Sequence, residues 1–257
     1  MHPLARARAL LQAGDAEQAA RLAEAVARAE PRNPTAWAVL GAAKQAQGAT
    51  AEAMEAWSQA AQWAPKSPAP LIALSGMAEA LGQRREASLL LQRAAALAPK
   101  DGSLLARAGV LTWESGESRA AMALWQLAVK RDPTQVLAWR NLASGWHSVQ
   151  QHAKAWEAVV RARTLRPGDP ELHRLEGHIA GSIGRTGDAR RAFEAALALR
   201  PADPAALWGC AASAPVICAS PEEETHAASQ TALDLAALTA AAAGPMDVSQ
   251  WLGAVQT

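Results

Sequence analysis

The sequence predicts an all-α protein built of stacked two-helix units. Three observations carry that expectation. Prolines stand at 31, 65, 99, 133, 167 and 201, each 34 residues after the last, and a fixed period of this length marks a repeat array. Two further columns keep the same step, one of Ala19, Ala53, Ala87, Ala121, Ala155 and Ala189, the other of Val26, Ala60, Ala94, Ala128, Ala162 and Ala196. The composition favours helix: half of the 257 residues are apolar, alanine is abundant, tyrosine is absent, phenylalanine occurs once and ten tryptophans supply nearly all the aromatic volume.

Each copy reads as two antiparallel helices. Ala23, Trp57, Leu91, Trp125, Val159 and Phe193 follow the first alanine column by four residues, so small and bulky positions share one helix face and let a neighbouring helix approach closely. Gly14, Gly48, Gly82, Gly116 and Gly184 close the first helix where a left-handed backbone is wanted, with Gln150 at the remaining place. The periodic proline stops the second helix. Asn33-Pro34, Ser67-Pro68, Asp169-Pro170 and Asp203-Pro204 each put a capping side chain before a proline at the first helical position. The copies run about 1–33, 34–67, 68–101, 102–135, 136–169 and 170–203. One hairpin cannot bury its apolar face alone, so the copies stack into a right-handed α-α superhelix.

This pattern resembles the tetratricopeptide repeat family, most clearly in the second copy, with Trp37-x-x-Leu40-Gly41, Ala53-x-x-x-Trp57, Ala60 and Pro65. The usual tyrosine column holds Leu10, Lys44, Ala78, Thr112, Trp146 and Ala180 instead, which implies looser packing there. The resemblance covers about residues 1–203 and implies a non-catalytic scaffold that binds a protein or peptide in its concave groove.

Beyond the sixth copy, Pro204-Ala-Ala-Leu207-Trp208-Gly209-Cys210-Ala211 supplies only a first helix, a solenoid cap over 204–214. Residues 215–257 then read as an apolar segment, Val216-Ile217-Cys218, followed by a helix over about 221–243 with a proline and three glutamates at its start. That helix is a candidate surface for pairing with a second copy of the chain. The segment Pro215, Val216, Ile217, Ser220, Glu222, Glu223 and Glu224 also resembles the junction between repeats and catalytic region in bacterial relatives of SPINDLY and O-GlcNAc transferase. This implies an alternative function, the substrate-recruiting arm of a protein glycosyltransferase whose catalytic region is absent from this chain. The eukaryotic transferase of that family lines its groove with asparagines; the equivalent column here is Ala5, Val39, Ala73, Arg107, Asn141 and Leu175, and only Asn141 fits.

Charge and motifs exclude several classes. Lys plus Arg is 25 against 24 for Asp plus Glu, so the chain as a whole has no pull toward nucleic acid or acidic membranes. Arginines interrupt the apolar residues of the N-terminus, no window reaches the length of a membrane span, and the expectation is a cytoplasmic protein. Cys210 and Cys218 fit neither a disulfide framework nor a zinc site. No nucleophile elbow, activated cysteine or convergent acid pair is present, so no catalytic residues, cofactor or enzyme activity are expected. Gly181-Ser-Ile-Gly184-Arg-Thr-Gly187 lacks the lysine and the strand of a phosphate loop. His147/His152 and His173/His178 are each five apart, a poor spacing for shared ligation on one helix, so no metal is expected.

The binding residues are sought where packing does not account for them, on the first helices of copies four to six. Arg107, Trp113, Arg140, Asn141, Ser144, His147, Arg174 and His178 stand there, where the earlier copies carry mostly small or aliphatic residues. Guanidinium forks suit carboxylates, so the expected ligand is an acidic peptide. Trp57 and Trp125 fall on the bulky core column, Trp37 and Trp139 on the helix-packing column, and Trp113, Trp208 and Trp251 are candidate exposed anchors.

Overall fold

A computed structural model of the chain describes residues 2–213. The segment 215–257, with Cys218, Trp251, the acidic helix start and the junction-like motif, lies outside the described residues. Thirteen helices follow one another: α1 (Pro3–Gln12), α2 (Ala16–Ala29), α3 (Pro34–Ala46), α4 (Thr50–Trp63), α5 (Ala69–Ala80), α6 (Arg84–Leu97), α7 (Ser103–Glu114), α8 (Ser118–Arg131), α9 (Val136–Ser148), α10 (His152–Leu165), α11 (Pro170–Ser182), α12 (Thr186–Leu199) and α13 (Pro204–Ala212). They divide into two compact units between Ala138 and Trp139. In the first, each helix from α1 to α7 packs on the next. In the second, α10 packs on α11, α11 on α12, and α13 closes against α12 and α11.

Close approach depends on the small columns. Every alanine at 19, 53, 87, 121, 155 and 189, and at 60, 94, 128, 162 and 196, is wholly buried. A second device lies opposite them. A Cβ added to Gly41 of α3 would sit 2.9 Å from the Trp57 ring of α4, and one on Gly177 of α11 would sit 2.6 Å from Phe193 of α12. Gly109 of α7 faces Trp125 of α8 in the same way, and Trp125 Nε1 donates to the Ala106 carbonyl at 3.0 Å. Gly209 of α13 receives the other side of Phe193. In the intervening copies the corresponding pairs are Ser75 with Leu91 and Ala143 with Val159, all fully buried.

The helix ends follow the sequence with one exception. The Asn33 side chain accepts from the amides of Thr35 and Ala36, Asp169 from Glu171, and Asp203 from Ala205 and Ala206. Ser67 makes no such cap. Helix α5 starts one residue later, at Ala69, with Pro68 itself in the cap position. Because proline is already preset for the helical φ, the turn forms without help from the serine.

The packing-column residue at the start of the first helix reaches back to the proline that ended the preceding copy. Trp37 Nε1 donates to the Pro31 carbonyl at 2.7 Å, and His173 Nε2 lies 2.8 Å from the Pro167 carbonyl. A carbonyl only accepts, so His173 carries its proton on Nε2.

First helices end in a left-handed turn in all six copies. Gly14, Gly48, Gly82, Gly116 and Gly184 have φ between 75° and 85°, and Gln150 takes φ 58° at the same place. The next amide then bonds five residues back, as from Ala49 to the Lys44 carbonyl at 3.0 Å and from Gln151 to the Trp146 carbonyl at 2.8 Å. A left-handed backbone costs a residue with a Cβ about 1–2 kcal/mol, whereas glycine adopts it freely. Gln150→Gly is therefore expected to stabilise the protein by about 1 kcal/mol, raising the urea midpoint, and Gly116→Gln to lower it by a similar amount.

Candidate functional site

Six of the eight sequence-selected residues stand in the second unit, on α9 and α11. Arg140 and Ser144 are exposed, and Asn141, His147 and Arg174 are half-buried. Arg140, Arg174 and Trp208 occupy one column, 34 residues apart, on the three first helices α9, α11 and α13. Trp208 is 61% exposed, the most exposed large apolar side chain among the described residues.

The two arginines differ in what holds them. Arg140 makes no hydrogen bond or ion pair among the described residues. Arg174 is already engaged: its Nε and Nη2 donate to Glu171 Oε2, and Nε lies 3.8 Å from Asp203 Oδ2. Arg200, at the end of α12, completes the group with Nη1 2.7 Å from Glu171 Oε1 and 4.0 Å from Asp203. Hydrogen bonds from Arg174 and then from Arg200 hold the Glu171 carboxyl below the usual glutamate range. Two cations and two anions thus nearly cancel, and Arg174 is left with Nη1 to offer a ligand.

Two histidines on this face, His147 and His178, are held below the ordinary histidine range. Burial, reinforced by His152, pushes His147 below the ordinary histidine range. Burial likewise lowers His178, with Arg174 and His147 adding to the effect, and its ring stands edge-on to Phe193 at 5.1 Å.

His147 and His152 are not on one helix. They flank the left-handed turn at Gln150, with ring centroids 5.8 Å apart and both Nδ1 atoms within 3.5 Å of Ser182 Oγ. The five-residue spacing argument, which assumed a continuous helix, does not apply to this pair. Even so, no group of three or more potential metal-binding side chains occurs among the described residues.

The other two selected residues belong to the first unit. Arg107 Nη2 lies 3.3 Å from Glu79 Oε2, and Trp113 is half-buried with its ring 5.6 Å from that of Trp125. Neither is a free anchor. Half-buried Cys210 has its thiol pushed up by burial and by Glu194, the opposite of an activated nucleophile.

A polar insertion that the column analysis missed also lies in the second unit. The column Leu40, Leu74, Ala108 and Leu142 continues as Glu176, which is 8% exposed on α11. Arg163 of α10 places Nε 2.8 Å from Glu176 Oε2, and His173 Nδ1 is 4.0 Å away. Burial raises the Glu176 carboxyl above the usual glutamate range, partly offset by Arg163 and His173. The signal was readable, since a carboxylate interrupts a column of leucine and alanine.

Removing one member of a buried pair leaves the other charge unpaired, so Glu176→Leu alone is expected to cost about 1–3 kcal/mol in urea unfolding. That is less than for a fully enclosed pair, because the Arg163 side chain stays 37% exposed. The double variant Arg163→Leu/Glu176→Leu restores the apolar column and should unfold within about 1 kcal/mol of the parent or above it. A raised carboxyl pKa favours the folded state below the ordinary glutamate range, and this contribution is lost as pH rises through the folded value. The double variant should lack that pH dependence.

Comparison with known proteins agrees with this architecture. The model of the tetratricopeptide repeat family matches residues 10–75. No curated protein matches the chain. Among solved structures, the C-terminal part of a tetratricopeptide-repeat protein from Cytophaga hutchinsonii aligns with a TM-score of 0.71 at 13% identity, covering 95% of this chain and 96% of that one. YrrB, a tetratricopeptide protein with an unusual peptide-binding site, aligns at 0.61 and 12% identity over 72% of this chain and 96% of its own. The pilF protein of Pseudomonas aeruginosa aligns at 0.61 and 16% identity over 79% and 93%. Residues 10–75 thus match the tetratricopeptide repeat model, and the chain shares the all-helical, consecutively paired fold of these tetratricopeptide-repeat structures.

Proposed function

We propose that the protein is a non-catalytic scaffold and that the first-helix face of its second unit binds an acidic peptide or protein segment. The observation that carries this reading is the column Arg140, Arg174 and Trp208, repeated every 34 residues on α9, α11 and α13. It joins a guanidinium without a hydrogen bond or ion pair among the described residues, a second guanidinium with Nη1 left over, and an exposed indole. Planar guanidinium groups suit carboxylates, and an exposed indole provides apolar contact area beside them. Ser144 and Asn141 stand on the same helix as Arg140 and can hydrogen-bond a ligand backbone. The solved structure of YrrB, which has a peptide-binding site, gives the fold a precedent for this kind of ligand.

Arg140 separates binding from folding, because it makes no hydrogen bond or ion pair among the described residues. A fluorescence titration of the full chain with labelled acidic, neutral and basic peptides of equal length checks the reading. Acidic peptides should bind best, and Arg140→Ala should weaken them about tenfold, the worth of one charged hydrogen bond, while the urea midpoint stays unchanged. Equal binding of all three peptide classes, or full affinity in the variant, contradicts it.

A further inference from the structure

The near-zero net charge of the chain conceals a segregation. All 25 Lys and Arg lie in residues 1–213 beside 19 Asp and Glu, whereas residues 214–257 contain five acids and no Lys or Arg. The repeats carry an excess of six positive charges, and the remainder an excess of five negative ones. Three of those five acids are consecutive, Glu222-Glu223-Glu224, directly after Ser220-Pro221.

Position in the chain brings this acidic run within range of the arginine column. Helix α13 ends at Ala212, and only eight residues separate Ser213 from Glu222. An extended chain covers about 3.3–3.6 Å per residue, so Glu222 can lie up to about 30 Å from Ser213. Helix α11, which carries Arg174, packs directly on α13. Adjacent helix axes lie about 8–10 Å apart, so Arg174 is one such step from α13 and Arg140, on the next first helix of the column, about two. Both are within that reach.

We propose that the segment Ser220–Glu224 is an intramolecular ligand of the Arg140/Arg174 face and competes with acidic partners for it. This rests on the reading of that face as an acidic-peptide site. The two opposite charges belong to one chain and are joined by a short connection, which gives the segment an effective concentration of about a millimolar. A site that binds such a segment with a dissociation constant of about 100 μM would then appear about tenfold weaker to any partner in solution.

The test uses the full chain in three forms: the parent, the variant Glu222→Gln/Glu223→Gln/Glu224→Gln, and that variant with Arg140→Ala added. The probe is a labelled synthetic peptide copying residues 219–226, titrated by fluorescence anisotropy at dilute protein. The triple-glutamine chain should bind the probe about tenfold more tightly than the parent. The gain should shrink as salt is raised, since screening weakens both contacts, and it should disappear when Arg140→Ala is added.

Equal affinity of the parent and the triple variant overturns the internal competition while leaving the acidic-peptide reading intact. No binding by either overturns both. A gain that survives Arg140→Ala overturns the location. A parent affinity that falls as protein concentration rises shows that the segment docks on a second copy, which overturns the intramolecular claim.

Discussion

The spacing between the two helices of a copy is set by a size match across their contact. Where a copy has glycine at its eighth residue, its second helix carries a large aromatic ring: Gly41 with Trp57, Gly109 with Trp125, Gly177 with Phe193. Where that position is serine or alanine, the opposing residue shrinks to Leu91 or Val159. A larger ring on one helix goes with the smallest residue on the other, as interiors packed at crystal density require where two backbones approach closely. The first copy departs from the rule, with Ala7 opposite Ala23 of the otherwise bulky column, both fully buried. Phe193 does double duty, since Gly209 of the terminal helix receives its other side.

That constraint decides what the surface can present. With the interior filled by alanine, glycine and a few large apolar residues per copy, the outward positions of the first helices are free to vary. In the second unit they carry charged and aromatic side chains. Among the described residues Arg140 makes no hydrogen bond or ion pair, Arg174 is held by Glu171 and Asp203, and Trp208 is exposed on the last helix. The contact of α10 with α11 departs from the apolar rule, with Arg163 and Glu176 in place of aliphatic side chains. Such a pair contributes little net stability compared with an apolar replacement, so its presence makes this junction more sensitive to pH than its neighbours.

The period, the helix order and most caps were legible in the sequence because they are local. A proline that ends a helix, an asparagine or aspartate before Pro34, Pro170 or Pro204, and a residue that must turn left-handed all act within a few positions of themselves. Gln150 shows the strength of that locality: its side chain argues for nothing special, yet it takes φ 58° because its five counterparts do. What escaped was long-range or depended on helix breaks. Arg174 looked like a free fork, but Arg200 and Asp203, about thirty residues on, draw its partners into a closed group. Trp113 looked like an anchor until Trp125, on the following helix, took its face. His147 and His152 were judged on a single helix, when the turn between them brings the rings together.

The size match across each hairpin is the claim on which the rest stands, and a double-mutant cycle measures it. Gly109→Ser and Trp125→Leu together transplant the Ser75/Leu91 pair of the preceding copy into α7 and α8. Urea unfolding of the parent, the two single variants and the double variant gives the coupling. Gly109→Ser alone overpacks against the indole, and Trp125→Leu alone leaves a void, each at a cost of about 1–3 kcal/mol. The account predicts that the double variant recovers about 1–3 kcal/mol relative to the sum of the single losses. Losses that simply add would show that the two positions do not share one volume, and would contradict it.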